Sequence, residues 1–340
     1  MLSLADILAG IILVALTAYV LLAGADFGGG VWDLLASGPR KDQQRHLISR
    51  AIAPVWEANH VWLILAIVLL FTGFPRAFAQ LAIALHVPLT LMLIGIVLRG
   101  SAFMFQSYGG GGGRVFATAS LITPVLLGVA VGAVASGAVG AWRREAAVSY
   151  YAGYIGPWLT PFALTVGFFA LACFAFLAAV YLTLEGRESA LQDDFRRRAI
   201  VSAVAVFVMA AIGLALSPQA PLVERGLWAA PWATALRLFT GAAALTTFWA
   251  LWTRRFRIAR VAAASQVALI LWGWGFAQYP YLLPPDLTIA AAAAPRVTLE
   301  LVLAAVAAGA VVLFPSLYYL LKVFKGRSFE PPTTPPHHQR

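Results

Sequence analysis

A single cysteine, Cys173, is the entire thiol content of the 340 residues. No internal disulfide or thiolate metal cluster can be built from it, and its place in mid-span reads as a small apolar filler. Charge is scarce as well. Asp, Glu, Lys and Arg make up 11% of the chain, against about 25% in an ordinary globular domain, and the mean hydropathy is +0.83. Long polar segments are missing, which leaves no room for a soluble domain and places all chemistry in or beside a bilayer. Dyad alternation in units of about ten residues, the mark of bilayer strands, is absent too. Helices remain as the spanning element. The first apolar segment lacks a basic n-region and a small-residue cleavage site, so it is expected to be a retained helix.

What the chain does have is apolar runs, each long enough at roughly 20 residues to cross a hydrocarbon layer of ~30 Å. They lie near 6–35, 50–72, 78–104, 115–140, 158–184, 197–217, 231–252, 258–279 and 296–322. The expected fold class is all-α, a polytopic transmembrane helical protein of about nine spans. One integral membrane domain covers 1–325, and a Pro-rich cytoplasmic tail at 326–340, ending "PPTTPPHHQR", is expected to be disordered. His337 and His338 there read as solvated. "YGGGGGR", 108–114, reads as a flexible connector, because no strand precedes it and no Lys-Ser/Thr follows, as a phosphate cradle would need.

The net charge of +10 invites a nucleic-acid reading, but the placement of the basic residues answers it better. Seventeen of the 24 Lys and Arg fall in odd-numbered loops and the tail, including Arg40, Arg196–Arg198 and Arg254–Arg260. Five fall in the opposite loops. The positive-inside rule then puts the N-terminus outside and the C-terminus in the cytoplasm, with the arginine clusters near anionic headgroups.

An ionisable group inside a span costs several kcal/mol and is a functional candidate by default. In "GADFGGGVWDLL", 24–35, Asp26, Gly29, Gly30 and Asp33 stand at i, i+3, i+4 and i+7, one helical stripe whose glycines let a second helix approach. In "APVWEANHVWLIL", 53–65, Glu57 lies seven residues into the next span, which starts near Arg50 with Pro54 tolerated in its first turns. Asp26 is expected roughly 14 Å and Glu57 about 10 Å from the cytoplasmic end, so antiparallel helices would let the two carboxyls share a pocket. Burial and mutual charge would raise both pKa values and suit them to passing protons. The alternative is that Asp26 caps or bonds a broken glycine-rich turn and Glu57 bonds backbone donors. His60 follows Glu57 by three and shares its face; a polar contact to Glu57 or to a partner is favoured over haem ligation. His86, the other intramembrane histidine, reads as a packing residue. Arg99 is placed near the cytoplasmic end of span three, able to snorkel, and Arg237 and Glu300 lie where an ion pair could form. "WGWGFAQYPYLLPPDLTI", 272–289, reads as an interfacial aromatic belt, with a quinone-ring site as the alternative.

These segments, together with "FPRAFAQLA" and "LFPSLYYLLKVFKG", resemble subunit II of the cytochrome bd type quinol oxidases, in order and over nearly the whole chain. The "WEANH" form is most similar to the cyanide-insensitive branch. The resemblance implies two four-helix bundles and one peripheral helix, a heterodimer with subunit I in a bacterial inner membrane, surrounding lipid and access to the quinol pool. It implies no haem or metal in this chain, haems of b type or also d type in subunit I, and room for a bound quinone. Subunit I would oxidise quinol and reduce dioxygen to water, while this chain stabilises it and lends acids to a cytoplasmic proton route. By position, the family's motif acid falls on Asp26, and its tryptophan and second acid fall on Trp56 and Glu57, with Asn59, His60 and Asp33 in support. His60 stands where other members have glutamine or glutamate, and Leu22 stands where some have a further relay acid. A stand-alone proton-coupled secondary transporter using Asp26 and Glu57 is the alternative function, and a b-haem anchor using His60 and His86 is a third.

Overall fold

The computed structural model describes residues 3–52, 56–107, 112–186 and 188–326. The tail beyond 326, Gly109–Gly111 of the glycine run and Pro54 lie outside the described residues, and so do the side chains of Trp56 and Glu57.

The chain is helical almost throughout. In order come α1 (Leu4–Leu34), α2 (Lys41–Ile52), α3 (Trp56–Gly73), α4 (Pro75–Ala84), α5 (His86–Ser107), α6 (Gly113–Ala135) and α7 (Ala138–Val148). Then follow α8 (Pro161–Glu185), α9 (Ser189–Ala215), α10 (Pro221–Ala229), α11 (Ala233–Trp252), α12 (Phe256–Gln278), the strands β1 (Tyr281–Leu283) and β2 (Leu287–Thr288), α13 (Ile289–Ala292) and α14 (Arg296–Gly326). Capping residues set the starts. The Ser3 Oγ accepts the Asp6 N–H at 3.1 Å while the Asp6 carboxylate accepts the Ser3 N–H at 3.0 Å, a reciprocal cap. Thr160 caps α8 with Pro161 at its first position.

Among the described residues seven helices are long and apolar enough to cross a membrane, or eight when the bent pair α3–α4 counts as one span. The expected span missing from that count is the seventh, which corresponds to α11, long enough but diluted by Arg237 and by Thr234, Thr240, Thr246 and Thr247. Large apolar side chains such as Ile64, Phe71, Leu93, Phe105 and Phe207 face outward, as a surface solvated by acyl chains requires.

The helices pack as two sets of four. In the first, α1 lies against α3 and α6, and α6 against α5; in the second, α8 joins α9 and α12, and α12 joins α11. The sets meet where α1 and α6 press on α8. α14 stands apart, touching α1 and α3.

Several boundaries differ from the expected spans. The segment between the first two spans is a separate helix, α2, which buries Leu47, Ile48 and Ile52 while Lys41, Arg45 and Arg50 stay at the surface. The stretch assigned to the start of the third span is α4, bent by 117° from α3, because Pro75 opens a new helix after Phe74 leaves helical dihedrals. The fourth span ends at Ala135, where Gly137 takes φ +81° and α7 begins in a new direction. α9 starts eight residues before the expected 197, since its polar first turns are satisfied by ion pairs. The proline-rich segment after α12 forms the β1–β2 hairpin.

Candidate functional site around Asp26

Asp26 lies two turns from the end of α1 with no solvent exposure. The glycines beside it allow three helices to converge. A Cβ on Gly28 would collide with the Phe174 carbonyl of α8, and one on Gly30 with the Ser120 Oγ of α6. α1 also binds α8 through the Trp32 indole, which donates to the Ala175 carbonyl at 2.7 Å.

The partner of Asp26 is Arg99 of α5, which is 2% exposed. Arg99 Nη1 donates to Asp26 Oδ2 at 2.9 Å, and Nη2 donates to Oδ1 at 2.5 Å and to the Asp26 backbone carbonyl at 2.9 Å. Its Nε donates to Ser120 Oγ at 3.0 Å, and Ser120 passes its own hydrogen to the Phe116 carbonyl at 2.7 Å. The guanidinium lies between the rings of Phe27 and Phe116, 4.6 and 4.8 Å from their centroids. Arg99 therefore does not snorkel; α5 turns it inward, and a two-point bond with charge on both sides replaces the lost hydration.

Asn59, in the first turn of α3, is also fully buried and donates to Asp26 Oδ2 at 2.6 Å. Its Oδ1 has no hydrogen-bond partner among the described residues. Glu57 lies in the same turn of α3, while the meeting of its carboxyl with Asp26 falls outside what is described. His60 is half-buried with its ring centroid 6.3 Å from those of both Tyr19 and Phe27 on α1. Asp33 is at the end of α1, with Oδ1 3.7 Å from the Arg45 Nε of α2.

α2 closes this end of the bundle. Ile48 and Ile52 pack over Gly29, and Asp194 of α9 binds Arg40 at 2.8 and 2.6 Å and Gln44 at 2.9 Å. The hydrogen bond to Asp194 holds the Arg40 guanidinium above its usual pKa. Arg198 bonds Gln44 Oε1 at 2.7 Å and the Leu35 carbonyl at 3.2 Å.

Other expected contacts resolve differently. Glu300 pairs with Arg296, one turn before it, at 2.7 Å, whereas Arg237 bonds Thr234 Oγ1 at 3.2 Å and stacks on Trp228. The two histidines do not fit a haem axial pair. His60 begins α3 and His86 begins α5 at the far end, roughly 20 Å away along the helix axis. The His86 Nδ1 bonds the Ile83 carbonyl at 2.9 Å and its Nε2 the Tyr150 hydroxyl at 3.0 Å, so both ring nitrogens are engaged. Arg99 is the member of the site that the sequence alone did not bring to Asp26; the available signal was an arginine in a span that also holds the acid's neighbouring helices.

The chain is 22% identical over 318 residues to the putative cytochrome bd menaquinol oxidase subunit II of Bacillus subtilis (strain 168), covering 90% of this chain and 91% of that one. It is 25% identical over 224 residues to the cytochrome bd-I ubiquinol oxidase subunit 2 of Escherichia coli (strain K12), covering 62% of this chain and 54% of that one. Its fold matches a chain of the bd oxidase from Geobacillus thermodenitrificans with a TM-score of 0.79 at 24% identity, over 96% of this chain and 99% of the other. The family model described as cytochrome bd terminal oxidase subunit II matches residues 4–324, a span that takes in all the helices set out above but the last two residues of α14, and the chain accordingly belongs to the cytochrome bd terminal oxidase subunit II family.

Proposed function

We propose that this chain is the haem-free subunit II of a membrane quinol oxidase, stabilising a haem-bearing subunit I that couples quinol oxidation to the reduction of dioxygen to water. Family membership supports the reading, as do the names of the relatives, which are subunits of menaquinol and ubiquinol oxidases. On the charge count the N-terminus lies outside and the α2 end faces the cytoplasm. Nothing in the helices favours the stand-alone transporter: among the described residues only the α3–α4 pair is sharply broken, where paired broken helices would be expected in both halves.

The observation that carries the proton route is the buried acid with its orphan neighbour. An ionised carboxylate accepts at about four positions; Asn59 and the two Arg99 nitrogens use three at Asp26. With both carboxylate oxygens held by Arg99 and Asn59, Asp26 serves as the fixed end of the relay. Glu57 is the carrier. Its protonated carboxyl, or a water, is the donor that the unpartnered Asn59 Oδ1 calls for. Asp33, at the α2 end, receives protons from the cytoplasm, and Trp56 and His60 flank the path. Glu57→Gln is expected to lower oxidase turnover while the haem absorbance of the purified complex persists. Unchanged turnover across the pH range would refute the route.

A further inference from the structure

A second feature lies on the other side of the molecule. α9 and α11 barely touch, and between them, backed by α8 and α12, is a cleft of about 680 Å3, within the range of about 300–1,000 Å3 for small-molecule sites. It opens sideways past Phe207 and Trp228, which are 72% and 55% exposed. Its walls are almost wholly apolar, so water would find few partners and a hydrocarbon chain would lose none. The hydroxyls of Thr165 and Thr247 bond the carbonyls of Pro161 and Ala243 on their own helices. Among the buried polar atoms of the lining, Trp274 Nε1 is left with no acceptor in the described residues. Arg237 lines the cleft one turn into α11, and among the described residues it has no carboxylate partner. A donor without an acceptor and a cation without an anion thus stand beside one apolar slot.

We infer that this cleft holds one phospholipid, with its phosphate on the Arg237 guanidinium, an acyl chain between α9 and α11, and a carbonyl oxygen accepting from Trp274. The charge at the mouth decides the class of amphiphile. A phosphate diester is an anion that Arg binds by paired N–H groups, whereas a neutral isoprenoid quinone leaves the Arg237 charge uncompensated.

The test uses the intact complex, delipidated in mild detergent and titrated with a phosphatidylglycerol, with bound lipid counted by native mass spectrometry. At Gly241, on the cleft wall, an added Cβ meets nothing within 4 Å, so Gly241→Leu starts its side chain in open space and narrows the slot. This variant is expected to bind one lipid fewer than the wild type, with the haem absorbance unchanged as a control for folding. Arg237→Gln is expected to weaken that same lipid about fivefold, the effect of one basic residue at an anionic surface, and Trp274→Phe to weaken it as well. A Gly241→Leu complex that retains the wild-type lipid count would overturn the inference. So would an organic extract of the untreated complex in which a quinone is lost from Gly241→Leu and the phospholipid count is not.

Discussion

Replacing Arg99 with methionine removes the only cation that touches Asp26 among the described residues. Three Arg99 bonds to Asp26 disappear, at 2.9, 2.5 and 2.9 Å, along with the bond to Ser120. Neither partner can regain water, because the pair is 0% and 2% exposed. Breaking a buried pair from one side costs about 3–5 kcal/mol, since a charge is left uncompensated in low dielectric. Asp26→Asn cuts it from the other side and is expected to cost a similar amount. The double variant Asp26→Asn/Arg99→Met removes both charges and keeps the shapes close, so its loss should fall well short of the sum of the two. The assay is thermal denaturation of the solubilised complex followed by haem absorbance, closed as a double-mutant cycle. A double variant whose loss equals the sum of the singles to within about 0.5 kcal/mol would show that the groups are not coupled and refute the argument. Turnover of the double variant separates a structural role from a chemical one: full activity would make the ion pair purely structural and remove Asp26 from the proton route.

Gly28→Ala drives a methyl into the Phe174 carbonyl and is expected to cost about 1–3 kcal/mol by overpacking, seen as a lower melting temperature. Trp32→Phe strips the Ala175 carbonyl of its donor at about 1 kcal/mol, measured the same way. Asp194→Asn loosens Arg40 and Gln44 of the α2 segment together, and faster amide hydrogen exchange in α2 than in α8 reports it. His60→Gln is expected to leave haem content unchanged by pyridine haemochrome assay, because the ring sits among Tyr19 and Phe27.

Asp26 and the glycines around it were legible because a helical period is local: spacing of three and four residues already names one face. The all-α membrane fold was legible for a similar reason, since apolar run length is set by bilayer thickness. Arg99 was not, although a charge within a span made it a candidate. Its axial position against α1 depends on the bend at Phe74 and on the ten residues of α4, and no spacing rule reaches across that bend. α2 reads as a loop in composition, with six of its twelve residues Lys, Asp, Gln, Arg or His before Leu47; its buried side appears only once Gly29 is there to receive Ile52. Arg237 and Glu300 were matched by charge alone, and the nearer Arg296 won because i,i+4 geometry holds the two ends together without fixing any tertiary contact.

The order in which the pair is made bears on biogenesis. Asp26 precedes its counter-ion by 73 residues, so at elongation rates of about 5–20 residues per second the acid emerges roughly 4–15 s before Arg99. During that interval the first helix must hold a carboxylate at the insertion machinery or in the bilayer without an opposite charge. A ribosome stalled between α1 and α5 leaves a polypeptide whose first helix lacks the counter-ion of its buried acid.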